Sequence, residues 1–122
     1  MQVPDPSSRP IGVILGQIGT PDAPTPAAVR RFLRQFLGDR RIIEANLLVR
    51  ALVVGPVVAL RAPRSARLYR RIWTASGSPL LVTVRAQAAR LQEALGPAVR
   101  VAVGMRYGSP SIPAAVGDLL AA

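Results

Sequence analysis

The hydrophobic pattern of the chain predicts two buried strands. Residues Ile11 to Gln17 form an almost unbroken apolar run, which is typical of a parallel strand covered on both faces. In a second segment, Ala98 to Met105, valines alternate with smaller or polar residues. We therefore expect both strands to be parallel members of one sheet, which indicates the α/β class.

Apolar residues recur at helical spacing between and after these strands. Helices are predicted at 26–37, 45–60, from about 65, 79–95 and 111–121. The first has Thr25 as its N-cap, Pro26 at its first position and Gly38 as its C-terminal cap. Ser78 and Pro79 repeat this start further along the chain. Strands that alternate with helices indicate βα units and a doubly wound domain.

The segment from Ala45 to Leu60 is very apolar, and its place in the fold has two interpretations. Gly55 and Pro56 interrupt it and predict a break or a kink. Asn46 and Arg50 are its only polar side chains, so the segment is either buried in a core or exposed as an apolar lip. Its most apolar run is about ten residues, whereas a bilayer span requires roughly 20.

The first βα loop, Gln17 to Pro21, lies where α/β proteins bind ligands, at the carboxyl end of a strand. It lacks the GxGxxG pattern and the P-loop lysine, so by spacing alone it is an ordinary turn. Only two strands are evident, and the last helix leads into no third strand. The pattern therefore predicts the opening part of a doubly wound parallel-sheet domain that is incomplete. Residues 1–10, rich in Pro and Ser, are expected to form a flexible tail.

The charge of the chain is strongly positive. There are 16 basic residues, all of them arginine, against 6 acidic residues, and the net charge is +10. Such a field attracts carboxylates, phosphates or acidic lipids. A solvated basic surface and biased coding are the alternative explanations of the same composition.

The chain has no histidine and no cysteine, which excludes several kinds of site. Disulfides, cysteine-based zinc sites and histidine acid–base catalysis cannot be housed here. The carboxylates are scattered, so we predict neither a metal site nor a catalytic residue. The first ten residues contain no apolar signal segment, and we expect a cytoplasmic location with contact at a membrane surface left open.

Arg61 to Arg71 is a basic stretch with three interpretations. Clustered arginines can bind nucleic-acid phosphates, but only Tyr69 and Trp73 supply aromatic stacking and no DNA-reading motif is present. A solvated basic helix is the second interpretation. The third is a flat apolar ligand with carboxylates, which arginine pairs bidentately while apolar helices cover its face.

Several blocks of the sequence resemble ferrochelatases, the enzymes that insert ferrous iron into a porphyrin to make haem. The first block is Gly12 to Arg41, GVILGQIGTPDAPTPAAVRRFLRQFLGDRR. The resemblance continues in order through 62–69, 72–73, 77–82 and 103–110, and so covers nearly all of the chain after residue 10. It implies a chelatase-like α/β fold. Residues 11–122 then match a partial N-terminal domain of a bacterial-type member, with the second domain absent.

The resemblance also implies a set of porphyrin contacts. Ile18 matches a position over the porphyrin face, where it cannot ligate a metal. Arg61 resembles an arginine that meets a propionate, with Arg64 as the substitute candidate. The other implied contacts are Tyr69, Ser78, Arg106 and Tyr107. The apolar stretch Leu47 to Leu60 resembles a lip over the cleft, which in relatives can touch the membrane that delivers the porphyrin.

In the family the catalytic His and its partnering Glu belong to later segments. The resemblance therefore implies no catalytic residue, no metal ligand and no cofactor in this chain, with Fe²⁺ as a substrate of the family. We expect an N-terminal fragment that is inactive alone and supplies part of a pocket for protoporphyrin IX or coproporphyrin III. The alternatives are a non-catalytic tetrapyrrole-binding module and a basic nucleic-acid or membrane-surface binder, although we expect no nucleic-acid partner.

Overall fold

The computed structural model describes residues 10–122, in which two strands and five α-helices are present. They are β1 (Ile11–Gly19), α1 (Pro26–Leu37), α2 (Leu47–Leu52), α3 (Val58–Ile72), α4 (Pro79–Leu95), β2 (Val99–Tyr107) and α5 (Ile112–Ala121). A π-helical turn, Val53–Val57, joins α2 to α3. The tail predicted at 1–10 lies outside the described residues except for Pro10, which is exposed.

The two strands pair in parallel, from Ile11 opposite Val99 to Gly19 opposite Tyr107. This confirms the predicted α/β class and the parallel pairing. The predicted carboxyl ends of both strands were wrong. β1 ends at Gly19 rather than Gln17, and β2 ends at Tyr107 rather than Met105. A side chain at Gly19 would collide with the carbonyl oxygen of Tyr107, so glycine permits this close approach.

Helix α5 packs closely on one face of the sheet because two strand positions lack a side chain. A Cβ at Gly104 would lie 3.0 Å from the side chain of Ile112 at the start of α5. A Cβ at Gly12 would lie 3.1 Å from the side chain of Leu119 near its end. The glycines therefore set the spacing between α5 and the backbone of both strands.

Gln92 of α4 pairs with the outer edge of β2. The Ala98 carbonyl oxygen accepts from the Ile11 N–H of β1. Backbone groups alternate in direction along a strand, so the N–H and C=O groups of Val99 and Val101 point away from β1. The Gln92 Oε1 atom accepts from the Val101 N–H at 2.9 Å, and Nε2 donates to the Val99 carbonyl oxygen at 2.6 Å. The side-chain amide thus takes the place of a neighbouring strand.

The predicted helix caps are present. The side-chain oxygens of Thr25 and Ser78 accept backbone N–H bonds of 3.3 Å from the first turns of α1 and α4. Gly38 ends α1 as predicted, but its φ of −76° is right-handed. Glycine is needed there for another reason, because a side chain would meet the carbonyl oxygen of Arg34.

A break or a kink was predicted at Gly55 and Pro56, and the helix does not break there. The helix start predicted near Ser65 was wrong. The backbone stays helical from Leu47 to Ile72, with Pro56 inside the π-helical turn and Pro63 inside α3. A proline lacks an N–H and clashes with the preceding turn of an α-helix. The wider π-helical turn accommodates Pro56 without ending the helix.

A small core joins α1 to α3. Val29 of α1 and Ala62 and Ala66 of α3 are fully buried, and Leu33 and Tyr69 pack against them. The two alanines lie at i and i+4 on one side of α3, so the helices can approach closely. This contact positions the α3 residues that the resemblance assigns to a ligand.

Candidate functional site

Three of the predicted contact residues lie at the carboxyl ends of the strands. Gly19 pairs with Tyr107, so Ile18 and Arg106 lie side by side on neighbouring strands. The pleat directs the Cβ atoms of Ile18 and Arg106 to one face of the sheet and that of Tyr107 to the other. The Arg106 guanidinium nevertheless reaches Asp39, which also contacts Tyr107. Ile18 is 51% exposed and Arg106 is also exposed, so these two side chains are accessible to a ligand.

Tyr107 is buried and is fixed by polar and aromatic contacts. Its ring packs edge-on against Phe36 of α1, with centroids 5.2 Å apart. Its hydroxyl donates to Oδ2 of Asp39 at 2.7 Å. Arg106 Nη2 donates to the same oxygen at 3.1 Å, and the Arg41 backbone N–H donates to Oδ1 at 2.9 Å.

These contacts alter the acidities of both ionisable partners. The Arg41 N–H and then the Tyr107 hydroxyl stabilise the carboxylate, so the pKa of Asp39 lies below its ordinary value. The hydrogen bond to Asp39, followed by burial, raises the pKa of Tyr107. The pair therefore favours a charged carboxylate beside a neutral phenol.

A second group of predicted residues lies on α3. Arg61 is exposed, and it lines a groove together with Val57, Leu60 and Arg64. Tyr69 lies about two turns further along the helix and leans onto the buried core. The groove therefore offers two guanidinium groups beside exposed aliphatic side chains, which suits a ligand that is both apolar and anionic.

Tyr69 also forms part of an apolar surface at the end of α3. Its ring meets Trp73 edge-on at 6.2 Å, and it lines a second groove with Leu68 and Ile72. Burial raises the pKa of Tyr69, which keeps its hydroxyl neutral. Leu68 and Ile72 are exposed, so this apolar surface of α3 is accessible within the described residues.

Ser78 occupies a different environment from the other predicted contacts. The residue is 1% exposed, and its hydroxyl accepts the N–H of Leu81 at the start of α4. This arrangement gives Ser78 a capping role in the described chain. Its contact with a ligand stays a prediction.

Helix α1 is the element that touches both groups of predicted residues. It packs on α3 through Val29 and Leu33, and it reaches β2 through the ring contact of Phe36 with Tyr107. The structure thus brings Ile18, Arg106 and Tyr107 together at the sheet. Arg61 and Tyr69 share α3, whereas Ser78 begins the next helix.

The lip, residues 47–60, exposes large aliphatic side chains in the described part of the chain. Leu47, Leu48 and Leu60 are 76%, 72% and 82% exposed. Of the two interpretations of this segment, exposure is the one observed here. Its base is tied to the end of α1, where the Arg50 side chain donates to the carbonyl oxygen of Gly38. Across residues 10–122, no helix is both long and apolar enough to cross a membrane.

Asp39 is the residue of this region that sequence reasoning missed. The sequence indicates only a charged turn after α1 at this position. Its side-chain partners Tyr107 and Arg106 are 68 and 67 residues away, so no local spacing links them. A signal was available only in retrospect, since Asp39 falls within one block of the family resemblance and its partners within another.

Comparison with known proteins identifies the family. The family model described as Ferrochelatase matches residues 10–122. A ferrochelatase of Shigella sonnei is 51% identical over 112 residues, covering 91% of this chain and 35% of the relative. Ferrochelatases of Escherichia coli and Klebsiella pneumoniae are 50% identical over 111 residues, covering 90% of this chain and 34% of each relative. The chain thus spans about a third of the length of these relatives, and it belongs to the ferrochelatase family.

Proposed function

We propose that this chain supplies part of the porphyrin pocket of a ferrochelatase, which inserts Fe²⁺ into a porphyrin. The observation that carries the proposal is the match to the family across residues 10–122, at about half identity to named ferrochelatases. Two observations support the proposal independently. Ile18 and Arg106 are accessible at the strand ends, and arginines line the groove on α3. Fe²⁺ and the porphyrin are substrates in this proposal, and the chain itself holds no cofactor.

Each predicted contact has a chemical role in the proposed pocket. Ile18 packs on the flat apolar face of the ring, since its side chain is exposed and cannot ligate iron. Arg61 pairs with a propionate, with Arg64 beside it as the alternative partner. The resemblance assigns polar contacts to Tyr69 and Ser78, of which Ser78 is buried and caps α4 in the described chain. Arg106 and Tyr107 line the pocket at the end of β2.

The proposed role of this chain is binding and orientation. Its sequence contains no histidine, so we assign removal of the pyrrole protons to residues that belong to other segments in the family. Residues 11–122 would then be part of the N-terminal domain of such an enzyme. On its own, the chain is expected to bind porphyrin without inserting iron.

We also propose a cytoplasmic location with peripheral contact at a membrane surface. The exposed leucines of the lip and the nearby arginines support this contact, because aliphatic side chains enter the lipid interface and arginine attracts acidic headgroups. Nucleic acid is not an expected partner. The lip and the α3 groove share Val57 and Leu60, so a porphyrin arriving from the membrane would meet the proposed site directly.

Titration of the chain with a porphyrin, followed by absorbance, tests this function. Protoporphyrin IX and coproporphyrin III are used in parallel, with and without Fe²⁺. We expect saturable binding, and Arg61→Ala should weaken it about tenfold or more because a charge-assisted hydrogen bond is lost. Arg85→Ala, which removes an exposed arginine from α4, is the matched control.

Two outcomes would count against the proposal. Unchanged affinity in both Arg61→Ala and Arg64→Ala would remove the propionate assignment from α3. Binding to DNA or acidic vesicles alone, abolished at high salt, would favour a basic surface binder in place of a porphyrin site.

A further inference from the structure

We propose that Asp39 is a positioning residue that holds Arg106 and Tyr107 in place at the proposed porphyrin pocket. The inference rests on the proposed function, because it needs a ligand at the carboxyl ends of the strands. Asp39 itself is mostly covered, with 15% of its side chain exposed, whereas the Arg106 side chain is 49% exposed. Asp39 therefore acts through its neighbours rather than on the ligand.

Both oxygens of the Asp39 carboxylate are engaged, and they join two parts of the fold. Oδ1 accepts from the Arg41 N–H at 2.9 Å within its own turn. Oδ2 accepts from Tyr107 at 2.7 Å and from Arg106 at 3.1 Å, both at the end of β2. A carboxylate with this many donors has a fixed orientation, so it fixes the two side chains that converge on it.

The ion pair leaves most of the Arg106 guanidinium available. One Nη2 group contacts Asp39, and the guanidinium carbon lies 5.4 Å from the centre of the Tyr107 ring. Arginine has five N–H donors, so several remain for a ligand on the exposed side. Without Asp39, the long side chain would sample other rotamers, and ordering it again would weaken ligand binding.

The backbone of the same residue also closes the turn after α1. The backbone carbonyl of Asp39 accepts from Ile42 and Ile43 at 3.0 and 3.2 Å, which closes the turn that leads from α1 towards α2. A purely structural role for Asp39 would consist of this turn and of the folding stability that its side-chain contact with β2 adds. The positioning role makes a further demand, because it requires the side-chain contact with β2 to affect ligand affinity.

The first measurement reports the side-chain contact directly. In a Tyr69→Phe background Tyr107 is the only tyrosine, and its ionisation is followed by ultraviolet absorbance at alkaline pH. The charged groups that act on it are Asp39, Arg106 and Arg41. We expect Asp39→Asn to lower the pKa of Tyr107, because a neutral amide no longer opposes formation of the phenolate.

The second measurement is porphyrin affinity, made with Tyr69 intact because Tyr69 is itself a proposed porphyrin contact. Asp39→Asn is expected to weaken porphyrin binding about tenfold, and Asp39→Ala at least as much, because the guanidinium loses a charged partner. Asp118→Asn, which removes an exposed carboxylate from α5, is the control and should retain affinity. Asparagine is close in size to aspartate, so Asp39→Asn tests the charge with little change in packing.

The outcomes separate this inference from the function on which it rests. A lowered Tyr107 pKa with unchanged porphyrin affinity would overturn the positioning role and leave the pocket in place. An unchanged Tyr107 pKa in Asp39→Asn would overturn the contact itself. Absence of saturable binding in the unsubstituted chain would overturn the proposed function, and the positioning role with it, while the tyrosine titration would still report whether the contact exists.

Discussion

Two ionisable side chains in contact, Asp39 and Tyr107, make folding sensitive to pH at both ends of the scale. The pKa of Asp39 is lowered on folding, so its contribution to stability is present above about pH 4 and is lost as pH falls through the lowered value. The pKa of Tyr107 is raised, so its contribution is present below about pH 10 and is lost as pH rises through the raised value. We expect Asp39→Asn to flatten both limbs of the stability profile in denaturant melts. Profiles for the variant and the unsubstituted chain that run parallel at both ends would contradict this linkage.

At this scale, local chemistry was predictable and distant contacts were not. The caps at Thr25 and Ser78 follow from one side chain and the three residues after it, which the sequence displays directly. The partners of Asp39 depend on where β2 ends relative to α1. The predicted end of β2 at Met105 excluded both Arg106 and Tyr107 from the strand, so their alternation across the sheet could not be anticipated.

Among the elements, the type of each long helix and both strands could be predicted, but the effect of proline could not. Helices α1 and α4 have the predicted bounds because Pro begins each one and Gly follows each end. The same residue types at Gly55 and Pro56 predicted a break or a kink, and the helix does not break there. The π-helical turn packs against α1, and sequence spacing carries no sign of that packing.

The pairing of α4 with the outer edge of β2 gives a prediction for one side chain. Gln92→Leu removes the bonds to Val99 and Val101, so we expect the chain to lose about 1 kcal/mol of unfolding free energy. Hydrogen exchange at the Val101 amide should accelerate. Gln92→Glu keeps the acceptor for this amide but loses the donor to the Val99 carbonyl, so it should preserve more of the Val101 protection.

Gln87→Leu provides the control for this edge, since Gln87 is exposed on the same helix. Its stability and Val101 exchange should match those of the unsubstituted chain. If Gln92→Leu and Gln87→Leu behave alike, the side-chain amide does not protect the strand edge. Loss of stability and of Val101 protection in Gln92→Leu alone would identify the Gln92 side-chain amide as the partner that occupies this edge.

Over the whole described molecule, apolar surface is unevenly distributed. The buried core between α1 and α3 is small, whereas the lip and the end of α3 expose large aliphatic side chains. Composition alone left the lip with two interpretations, because an all-round apolar helix suits a core as well as an interface. The observed exposure supports the proposed membrane contact, and the arginines beside Leu60 give this surface a positive charge.

This distribution predicts that the chain binds acidic vesicles through the lip. Leu60 in the lip and Leu120 on α5 are both 82% exposed, so replacing either with glutamate should change folding stability to a similar, small extent. We expect Leu60→Glu to reduce co-sedimentation with acidic phospholipid vesicles about tenfold or more, since an aliphatic group is lost and a like charge faces the headgroups. Leu120→Glu should retain binding because it lies outside the lip.

High salt should weaken the arginine contribution to vesicle binding and leave a residual apolar component. Equal loss in both variants, or complete loss at high salt, would show that charge alone brings this chain to the membrane.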